Sequence, residues 1–330
     1  MTGVAAAVAA EELVKIYPEN VRAVNGVSFA VEAGEAFGLL GPNGAGKTTT
    51  IGMLNTTVKP SSGRALLGGR DVARDPVGAR SVSSVVFQDA VVDRPLTGRQ
   101  NLELHLKLWG VGTAVGRRRL AELAAAVGIS DILERPVATY SGGQRRRTEI
   151  VRALLSAPQV LFLDEPTVGL DTRARHDLFD VIGTLREKTG VTIIITTHYL
   201  DEAERLCDRL AIIEAGAIVA SDTPANLLAL IGPDVLELRA DDAATAAAVL
   251  QANGVVREDV LVTGQTVTAS LRATNGAKAL EILEENHVPV RSATTRRSTL
   301  DDVYLRLTGG RIASPNDQNN SPERLTGQGN

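Results

Sequence analysis

The feature that most constrains this chain is a glycine-rich loop with the spacing GxxxxGK[ST], at residues 41–48. An apolar run, Ala36–Leu40, precedes the loop and predicts a strand. Residues 49–54 follow it and predict the first turns of a helix. A strand, a glycine-rich loop and a helix in this order are the context in which the pattern forms a phosphate-binding loop. The sequence therefore predicts a nucleotide site at this loop.

The residue types of the loop suit phosphate chemistry. Gly44 and Gly46 allow the main chain to turn successive N–H groups toward phosphate oxygens. Lys47 is expected to reach the β- and γ-phosphates, and the Thr48 hydroxyl to ligate Mg²⁺. The predicted nucleotide contacts of the loop are Gly41, Pro42, Asn43, Gly44, Ala45, Gly46, Lys47, Thr48 and Thr49.

Composition fits a globular chain with room for two domains. Its 330 residues are 44% hydrophobic and 22% charged. A net charge of −4 argues against nucleic acid as a partner. No apolar run approaches about eighteen residues, so we expect no membrane span. The single cysteine, Cys207, excludes an internal disulfide and is expected to be a small buried residue on a helix.

Two adjacent acids, Asp164 and Glu165, end a continuous apolar run that predicts a parallel strand buried on both faces. Residues 191–197 and 210–213 predict two more strands of the same sheet, with helices between them. The acids would then lie at the carboxyl edge, where open α/β sheets bind ligands. Asp164 is expected to hold Mg²⁺ opposite Thr48, and Glu165 to orient an attacking water. The alternative for such a pair is a helix N-cap.

The pattern along the chain predicts an α/β nucleotide-binding domain over residues 11–228, after an N-terminal extension at 1–10. Its first part is expected to contain two short strands split by a turn at Asn25 and Gly26. Mixed leucines and charges at near-helical spacing predict a helical insert at about 89–135.

The remainder of the chain changes character after residue 230. Strand and helix patterns alternate and predict a small α+β domain over 233–308. The segment 309–330 is rich in Asn, Gln, Ser and Gly and is expected to be a disordered tail.

Further segments resemble the motifs of ATP-binding cassette (ABC) ATPases. Tyr17 lies where that family has an aromatic residue that stacks on adenine. The resemblance covers about residues 10–225 and implies a P-loop NTPase fold with an antiparallel β subdomain and a helical subdomain. The matching motifs, in the order of the family, are Gln88 of the Q-loop, Tyr140-Ser141-Gly142-Gly143-Gln144 of the signature, Leu161-Phe162-Leu163-Asp164-Glu165-Pro166-Thr167 of Walker B, Gly169-Leu170-Asp171 of the D-loop and the switch residue His198.

The resemblance implies that two copies pair head to tail and enclose two ATP molecules. Residues 141–144 of one copy would meet the ATP that the phosphate loop of the other copy holds, with Ser141 capping a helix that starts at Gly142. It also implies that His198 contacts the γ-phosphate and that Asp171 reaches across the dimer. Gln88 would sense Mg²⁺ and the attacking water.

Two departures from the common motifs, Tyr140 and Val168, resemble the daunorubicin-resistance branch of drug and antibiotic exporters, as does the segment 298–309. This resemblance implies a separate membrane permease that docks on the helical insert and holds the chain at the cytoplasmic face of the membrane. The alternative is a non-transport ABC ATPase that acts on nucleic acid or the ribosome. A single set of motifs and the negative charge disfavour that alternative.

Arg145, Arg146 and Arg147 follow the signature directly. We expect them to form a solvated helix face. The alternative is that their charges oppose the helix dipole until ATP from a partner copy relieves the repulsion.

Overall fold

The computed structural model describes residues 6–89, 91–272 and 276–309, and the chain divides into two compact units at Pro224. The strands of the first unit are β1 Val8–Tyr17, β2 Val21–Val31, β3 Ala36–Leu40, β4 Ser62–Leu67, β5 Arg70–Asp71, β6 Ser83–Val86, β7 Val160–Asp164, β8 Thr192–Thr197, β9 Arg209–Glu214 and β10 Ala217–Asp222. Its helices are α1 Lys47–Leu54, α2 Pro76–Ser81, α3 Gly98–Leu108, α4 Thr113–Ala126, α5 Gly142–Leu154, α6 Thr172–Thr189 and α7 Leu200–Leu206. Helix α8, Pro224–Ile231, leads into the second unit, which continues with β11 Asp234–Ala240, α9 Ala243–Ala252, β12 Val256–Thr263, β13 Thr266–Leu271, α10 Gly276–Glu285, β14 Val290–Arg297 and α11 Leu300–Thr308.

The central sheet of the first unit has the strand order β10-β9-β3-β8-β7-β6 among the described residues. All neighbours from β9 to β6 are parallel, and β10 is an antiparallel edge strand. The predicted strands at 191–197 and 210–213 are therefore confirmed as β8 and β9, on either side of β3. The register pairs Leu40 with Thr197 and Asp164 with Thr196, so the carboxyl ends of β3, β7 and β8 meet at one edge.

Strand β7 is buried on both faces, as its unbroken apolar sequence predicts. Leu161 and Leu163 pack into a core cluster with the helices α3 to α6. Val160 and Phe162 point the other way, into a cluster with the phosphate-loop helix and strands β1, β2 and β4. The predicted α/β fold, with an antiparallel β region and a helical insert around the parallel sheet, is confirmed.

A second sheet of the first unit is antiparallel and has the order β2-β1-β4-β5. Strand β1 begins at Val8, which pairs with Val31 of β2 and Leu67 of β4. The predicted N-terminal extension at 1–10 is therefore wrong for its last three residues, since 8–10 belong to the strand. Residues 1–5 lie outside the described chain.

The predicted turn at Asn25 and Gly26 is also wrong, because both residues lie inside β2. The chain reverses instead at the short 3-10 turn Pro18–Asn20. The register passes from Leu13 opposite Val27 to Val14 opposite Asn25, so Gly26, with φ of 72°, is an extra residue in the ladder. The glycine thus forms a β-bulge rather than a hairpin turn.

The predicted helical insert contains α3 and α4. Leu102 and Leu106 of α3 are buried, whereas Leu104 and Leu108 are exposed. Helix α2 was not predicted, since it spans only Pro76–Ser81. Its local signal is the N-cap Asp75, whose carboxylate accepts from Gly78 N at 2.9 Å.

The second unit has a four-stranded antiparallel sheet in the order β12-β13-β11-β14, with α9 and α10 contributing to its apolar core. Its elements follow the predicted order of strands and helices. The division at Pro224 precedes the predicted boundary at 228, which falls inside α8. Apart from Gly309, the predicted disordered tail lies outside the described residues.

Candidate nucleotide-binding and catalytic site

The loop between β3 and α1 brings the main chain against its neighbours at two glycines. A Cβ at Gly41 would lie 2.3 Å from the Ile213 carbonyl oxygen, and one at Gly46 would lie 2.4 Å from that of Ala23. Gly46 also has φ of 103°, a left-handed conformation that side chains disfavour. Larger residues at either position would require the backbone to move. The two glycines thus hold the loop so that the N-terminus of α1 remains open to an anion.

Lys47 is the first residue of α1, and its side chain is only 4% exposed. Its Nζ donates to the carbonyl oxygens of Gly41 at 2.7 Å and Pro42 at 3.1 Å. The same atom lies 3.3 Å from Glu165 Oε1. Burial lowers the pKa of Lys47, although the neighbouring carboxylates of Glu165 and Asp164 oppose this effect. The ammonium group therefore lies inside the loop, beside Glu165, which directly follows β7.

Asp164 is the last residue of β7 and is buried. Its Oδ1 accepts from Thr48 Oγ1 at 3.3 Å, so the carboxylate lies opposite the loop threonine, while its role toward Mg²⁺ stays a prediction. The same oxygen accepts from Thr196 Oγ1 on β8 at 2.5 Å. Thr196 was not predicted at the site, and it fixes the orientation of the carboxylate from the neighbouring strand.

Glu165 lies between two groups that favour its ionised form. Its Oε1 is 3.3 Å from Lys47 Nζ and 3.4 Å from His198 Nδ1. Contact with His198 and then Lys47 holds the pKa of Glu165 below its usual value, although burial opposes them. The residue has φ of 45°, which is uncommon for a side chain other than glycine. Its N–H donates to both the hydroxyl and the carbonyl oxygen of Thr196, which holds this conformation.

A cavity of about 350 Å³ lies beside these groups. Gln88, which follows β6, lines this cavity, and its role toward Mg²⁺ and water stays a prediction. Tyr17, Asp171 and residues 141–144 do not line it. The cavity is lined by Ala23, Pro42, Asn43, Gly44, Gly46, Lys47, Thr48, Thr49, Gln88 and Glu165.

The signature residues form the start of helix α5. Ser141 Oγ accepts from Gln144 N at 3.2 Å, and Gln144 Oε1 accepts from Ser141 N at 2.9 Å. This reciprocal capping box confirms the predicted role of Ser141 as N-cap of a helix that starts at Gly142. A Cβ at Gly142 would lie 3.1 Å from Leu170 Cδ2, so close packing against the D-loop is a second reason for glycine there.

Two of the predicted nucleotide contacts lie apart from the cavity. Tyr17 ends β1, is 38% exposed, and has Lys15 Nζ 5.0 Å from its ring centre. Asp171 is the N-cap of α6, where its carboxylate accepts from Ala174 N at 2.8 Å. Neither residue lines the cavity, and their roles at a nucleotide remain predictions.

The expectation that Arg145, Arg146 and Arg147 form a solvated face is wrong for Arg146, which is 6% exposed. Its guanidinium points into the first unit, where it donates to main-chain carbonyls and to Glu149. The sequence did not predict the burial of Arg146, and it gave no role to Glu149. The available signal was the spacing of a basic and an acidic residue three positions apart on α5, which does not reveal that both face inward.

Glu202 of α7 is a further buried carboxylate near the site, with 1% exposure. It accepts hydrogen bonds from the hydroxyls of Thr197, which precedes the switch histidine, and of Thr167, the last residue of the Walker B segment. Burial raises the pKa of Glu202 to about 8. Three acids occur within α7, and their sequence does not indicate which one turns inward.

Comparison with known proteins identifies the same family. A family model described as ABC transporter matches residues 24–168. The daunorubicin/doxorubicin resistance ATP-binding protein DrrA of Streptomyces peucetius is 42% identical over 304 residues, which cover 90% of this chain and 91% of that protein. The linearmycin resistance ATP-binding protein LnrL of Bacillus subtilis is 34% identical over 305 residues, which cover 91% and 97%. The solved structure of cbiO1 from Clostridium perfringens, part of the ABC transporter complex cbiONQ, matches with a TM-score of 0.64 at 28% identity, covering 68% of this chain and 93% of that one.

The chain therefore belongs to the ABC transporter family, as its motifs predict, and it is an ATP-binding subunit of that family that hydrolyses ATP. Among its relatives it resembles the daunorubicin-resistance ATP-binding proteins over nearly its whole length. No helix in the described part of the chain is long and apolar enough to cross a membrane.

Proposed function

We propose that the cavity beside residues 41–49 binds ATP and that Glu165 acts on the water that attacks the γ-phosphate. The observation that carries this proposal is the convergence of two groups on one carboxylate oxygen. Lys47 Nζ and His198 Nδ1 lie 3.3 Å and 3.4 Å from Glu165 Oε1. A cation, a histidine and a carboxylate beside an anion-binding loop are the parts that phosphoryl transfer to water requires.

The residues at the site also fit Mg²⁺. Thr48 Oγ1 and Asp164 Oδ1, 3.3 Å apart, are the oxygen ligands that this ion prefers. The described residues contain no group of three or more His, Cys, Asp or Glu side chains that could hold a metal by themselves, which suits an ion that shares its ligands with phosphates. We assign Thr48 and Asp164 as its protein ligands, with Gln88 beside them. The bound ion would neutralise charge on the β- and γ-phosphates.

Four side chains have specific tasks in this proposal. Lys47 exchanges its carbonyl contacts in the loop for phosphate oxygens. Glu165 is ionised at neutral pH, because His198 and Lys47 lower its pKa, and it accepts a proton from the attacking water. His198 then contacts the γ-phosphate, while Tyr17 at the end of β1 stacks on adenine.

A second copy of the chain completes the site. Residues 141–144 begin helix α5 outside the cavity of their own chain, which supports a role for the N–H groups of Gly142 and Gly143 at another copy's γ-phosphate. Asp171 accompanies them in the same dimer, as the resemblance implies. Two ATP molecules then lie between two chains paired head to tail.

We further propose that ATP hydrolysis drives a separate membrane permease that exports a drug or antibiotic, as the names of the relatives DrrA and LnrL suggest. The permease would hold the chain at the cytoplasmic face of the membrane. Its docking surface would be the helical insert, where Leu104, Leu108 and Trp109 of α3 and its C-cap are exposed. An exposed apolar group of this kind is typical of a protein interaction site.

Glu165→Gln tests the catalytic assignment. The change keeps the size of the side chain and removes its capacity to accept a proton. ATP turnover should fall by about 100-fold or more, while ATP binding persists. With ATP and Mg²⁺ present, the variant should accumulate as a dimer on size-exclusion chromatography.

The matched control is Glu187→Gln on α6, since Glu187 is exposed and distant in sequence from every motif. It should hydrolyse ATP at the wild-type rate and remain monomeric after turnover. Normal turnover by Glu165→Gln would contradict the assignment of this residue. Loss of ATP binding in the same variant would contradict the division of roles between the loop and Glu165.

A further inference from the structure

Arg146 and Glu149 form a buried ion pair on the inward face of α5. Arg146 Nη1 lies 3.2 Å from Glu149 Oε2, and the two side chains are 7% and 3% exposed. A charge removed from water in this way is retained only when its donors and acceptors are satisfied. The hydrogen bonds of this pair show which segments of the main chain it fixes in place.

The guanidinium binds the main chain at the end of β7. Its Nε donates to the Pro166 carbonyl oxygen at 2.7 Å, and its Nη2 donates to those of Asp164 and Glu165, each at 3.2 Å. These carbonyls belong to the segment that carries the proposed Mg²⁺ ligand and the proposed catalytic carboxylate. The position of α5 is thus fixed relative to the main chain of both acids.

The same ion pair also binds both ends of the segment that contains Gln88. Arg146 Nη1 donates to the Phe87 carbonyl oxygen, immediately before Gln88. Glu149 Oε1 accepts from Val91 N at 2.7 Å, shortly after it. The Gln88 segment is therefore tied at two points to one pair of side chains on α5.

The geometry requires arginine. A guanidinium has five N–H donors in a fixed plane, and here they reach α5, the end of β7 and the end of β6 at once. A lysine ammonium is one nitrogen on a flexible stem and cannot span the same three segments. Neighbouring Arg147 differs, because it pairs with Asp177 at 3.4 Å near the protein surface.

We propose that Arg146 and Glu149 are positioning residues that fix Gln88 and the main chain at Glu165 relative to helix α5. This inference rests on the proposed function, in which the start of α5 contacts ATP held by another copy. Because residues 141–144 and the ion pair lie on one rigid helix, engagement of the signature by that ATP is transmitted to Gln88 of the same chain. The pair thus couples the two ATP sites of a dimer.

Arg146→Lys and Arg147→Lys, two matched changes one residue apart, test the proposal. At saturating ATP we expect kcat of Arg146→Lys to fall by about 10- to 50-fold, because a displacement near 1 Å at a reacting group has effects of this order. Its KM for ATP, and its affinity for ATP without Mg²⁺, should stay within about threefold, since the phosphate loop is unaltered. Arg147→Lys should retain kcat within about twofold. Unchanged kcat in Arg146→Lys, or an equal loss of ATP affinity, would overturn the proposal.

A measurement without nucleotide keeps the proposal falsifiable if Arg146→Lys folds poorly. In Glu149→Ala, the Val91 amide loses its acceptor, and its hydrogen exchange should accelerate by about tenfold or more. Glu149→Gln retains an acceptor oxygen and should restore most of the protection. Equal exchange at Val91 in the wild type and Glu149→Ala would show that the ion pair does not hold this segment.

A double-mutant cycle with Gln88→Ala separates this inference from the proposed function. If Arg146 acts mainly through Gln88, Arg146→Lys should reduce the residual kcat of Gln88→Ala by less than about threefold. Fully additive losses would reject the coupling while leaving Glu165 as the catalytic residue. Normal turnover in Glu165→Gln would instead reject the proposed function, whatever the outcome of the cycle.

Discussion

Two buried carboxylates, one in each unit, are stabilised in opposite ways. Glu202 in the nucleotide-binding unit is 1% exposed and accepts from two threonine hydroxyls. Asp302 in the second unit is 7% exposed and accepts a two-pronged contact from Arg296, at 2.7 Å and 2.8 Å. Burial raises the pKa of Glu202 to about 8. Burial also acts to raise the pKa of Asp302, but the contacts with Arg296 and Thr299 together lower it below its usual value.

The difference shows where each unit places its buried polar groups. Around the candidate site, Lys47, Arg146, Asp164 and Glu202 are all buried, and their contacts are mainly to the main chain, to hydroxyls or to a neighbouring glutamate. The second unit buries an apolar core and keeps Asp302 as part of a helix cap. These buried polar groups of the first unit thus surround the candidate site, whereas Asp302 of the second unit stabilises local structure.

Asp302→Ala should produce the largest effect in this comparison. The change removes both Arg296 bonds and the acceptor for Thr299 N at 2.9 Å, which caps α11. The free energy of unfolding of the second unit should fall by about 2–3 kcal/mol. Hydrogen exchange of α11 and β14 amides, or a denaturant transition followed in the second unit, measures this loss.

The matched control in the same unit is Glu281→Ala on α10. Glu281 pairs with Lys278 at 3.4 Å, and both side chains are more than half exposed. An exposed pair of this kind should contribute below about 0.5 kcal/mol. Equal losses in the two variants would remove the distinction between a buried cap and a surface pair.

Glu202→Gln should have a smaller effect that depends on pH. Between pH 4.5 and about 8 the unfolded chain ionises at this position while the folded chain keeps its proton, so the contribution of Glu202 to stability falls as pH rises. Glutamine is neutral throughout, and the threonine hydroxyls can accept as well as donate. The variant should be more stable than the wild type at pH 8 by about 2 kcal/mol, below the ceiling of about 5 kcal/mol for the full shift. At pH 4.5 the two should be equal.

Thermal unfolding at a series of pH values measures this difference. Glu204→Gln is the control, since Glu204 lies on the same helix and is exposed. It should follow the wild type at every pH. A wild type whose stability rises between pH 5 and pH 8 relative to Glu202→Gln would show that Glu202 is ionised in the folded chain.

The parts of the site that could be predicted from the sequence depend on short segments. The phosphate loop requires one strand end and the first turn of one helix, and the Ser141–Gln144 capping box joins residues only three positions apart. Asp164 ends, and Glu165 follows, a strand whose burial is evident from its own apolar sequence. Each of these features is local, so residue types and their spacing along the sequence are enough to predict it.

The parts that could not be predicted depend on contacts between distant segments. Arg146 turns inward because the carbonyls of Phe87 and residues 164–166 lie beneath α5, which the sequence of α5 alone does not reveal. Glu202 faces two threonines from different segments for the same reason. Gly26 does interrupt regular strand structure, as its residue type indicates. In the long ladder between β1 and β2, however, it forms a bulge instead of a turn.

Asp302→Asn should have the smallest effect on the free energy of unfolding, and this effect appears at acidic pH. Because the folded pKa of Asp302 is lowered, its contribution is fully present above the unfolded value of 3.8 and is lost as pH falls through the folded value. The wild type should therefore lose about 1 kcal/mol more than Asp302→Asn between pH 5 and pH 3, measured by denaturant unfolding of the second unit. The slope is opposite in sign to that of Glu202, because Arg296 favours the charged form whereas burial beside two hydroxyls disfavours it. If both carboxylates changed stability in the same direction with pH, the electrostatic contrast between the two units would be wrong.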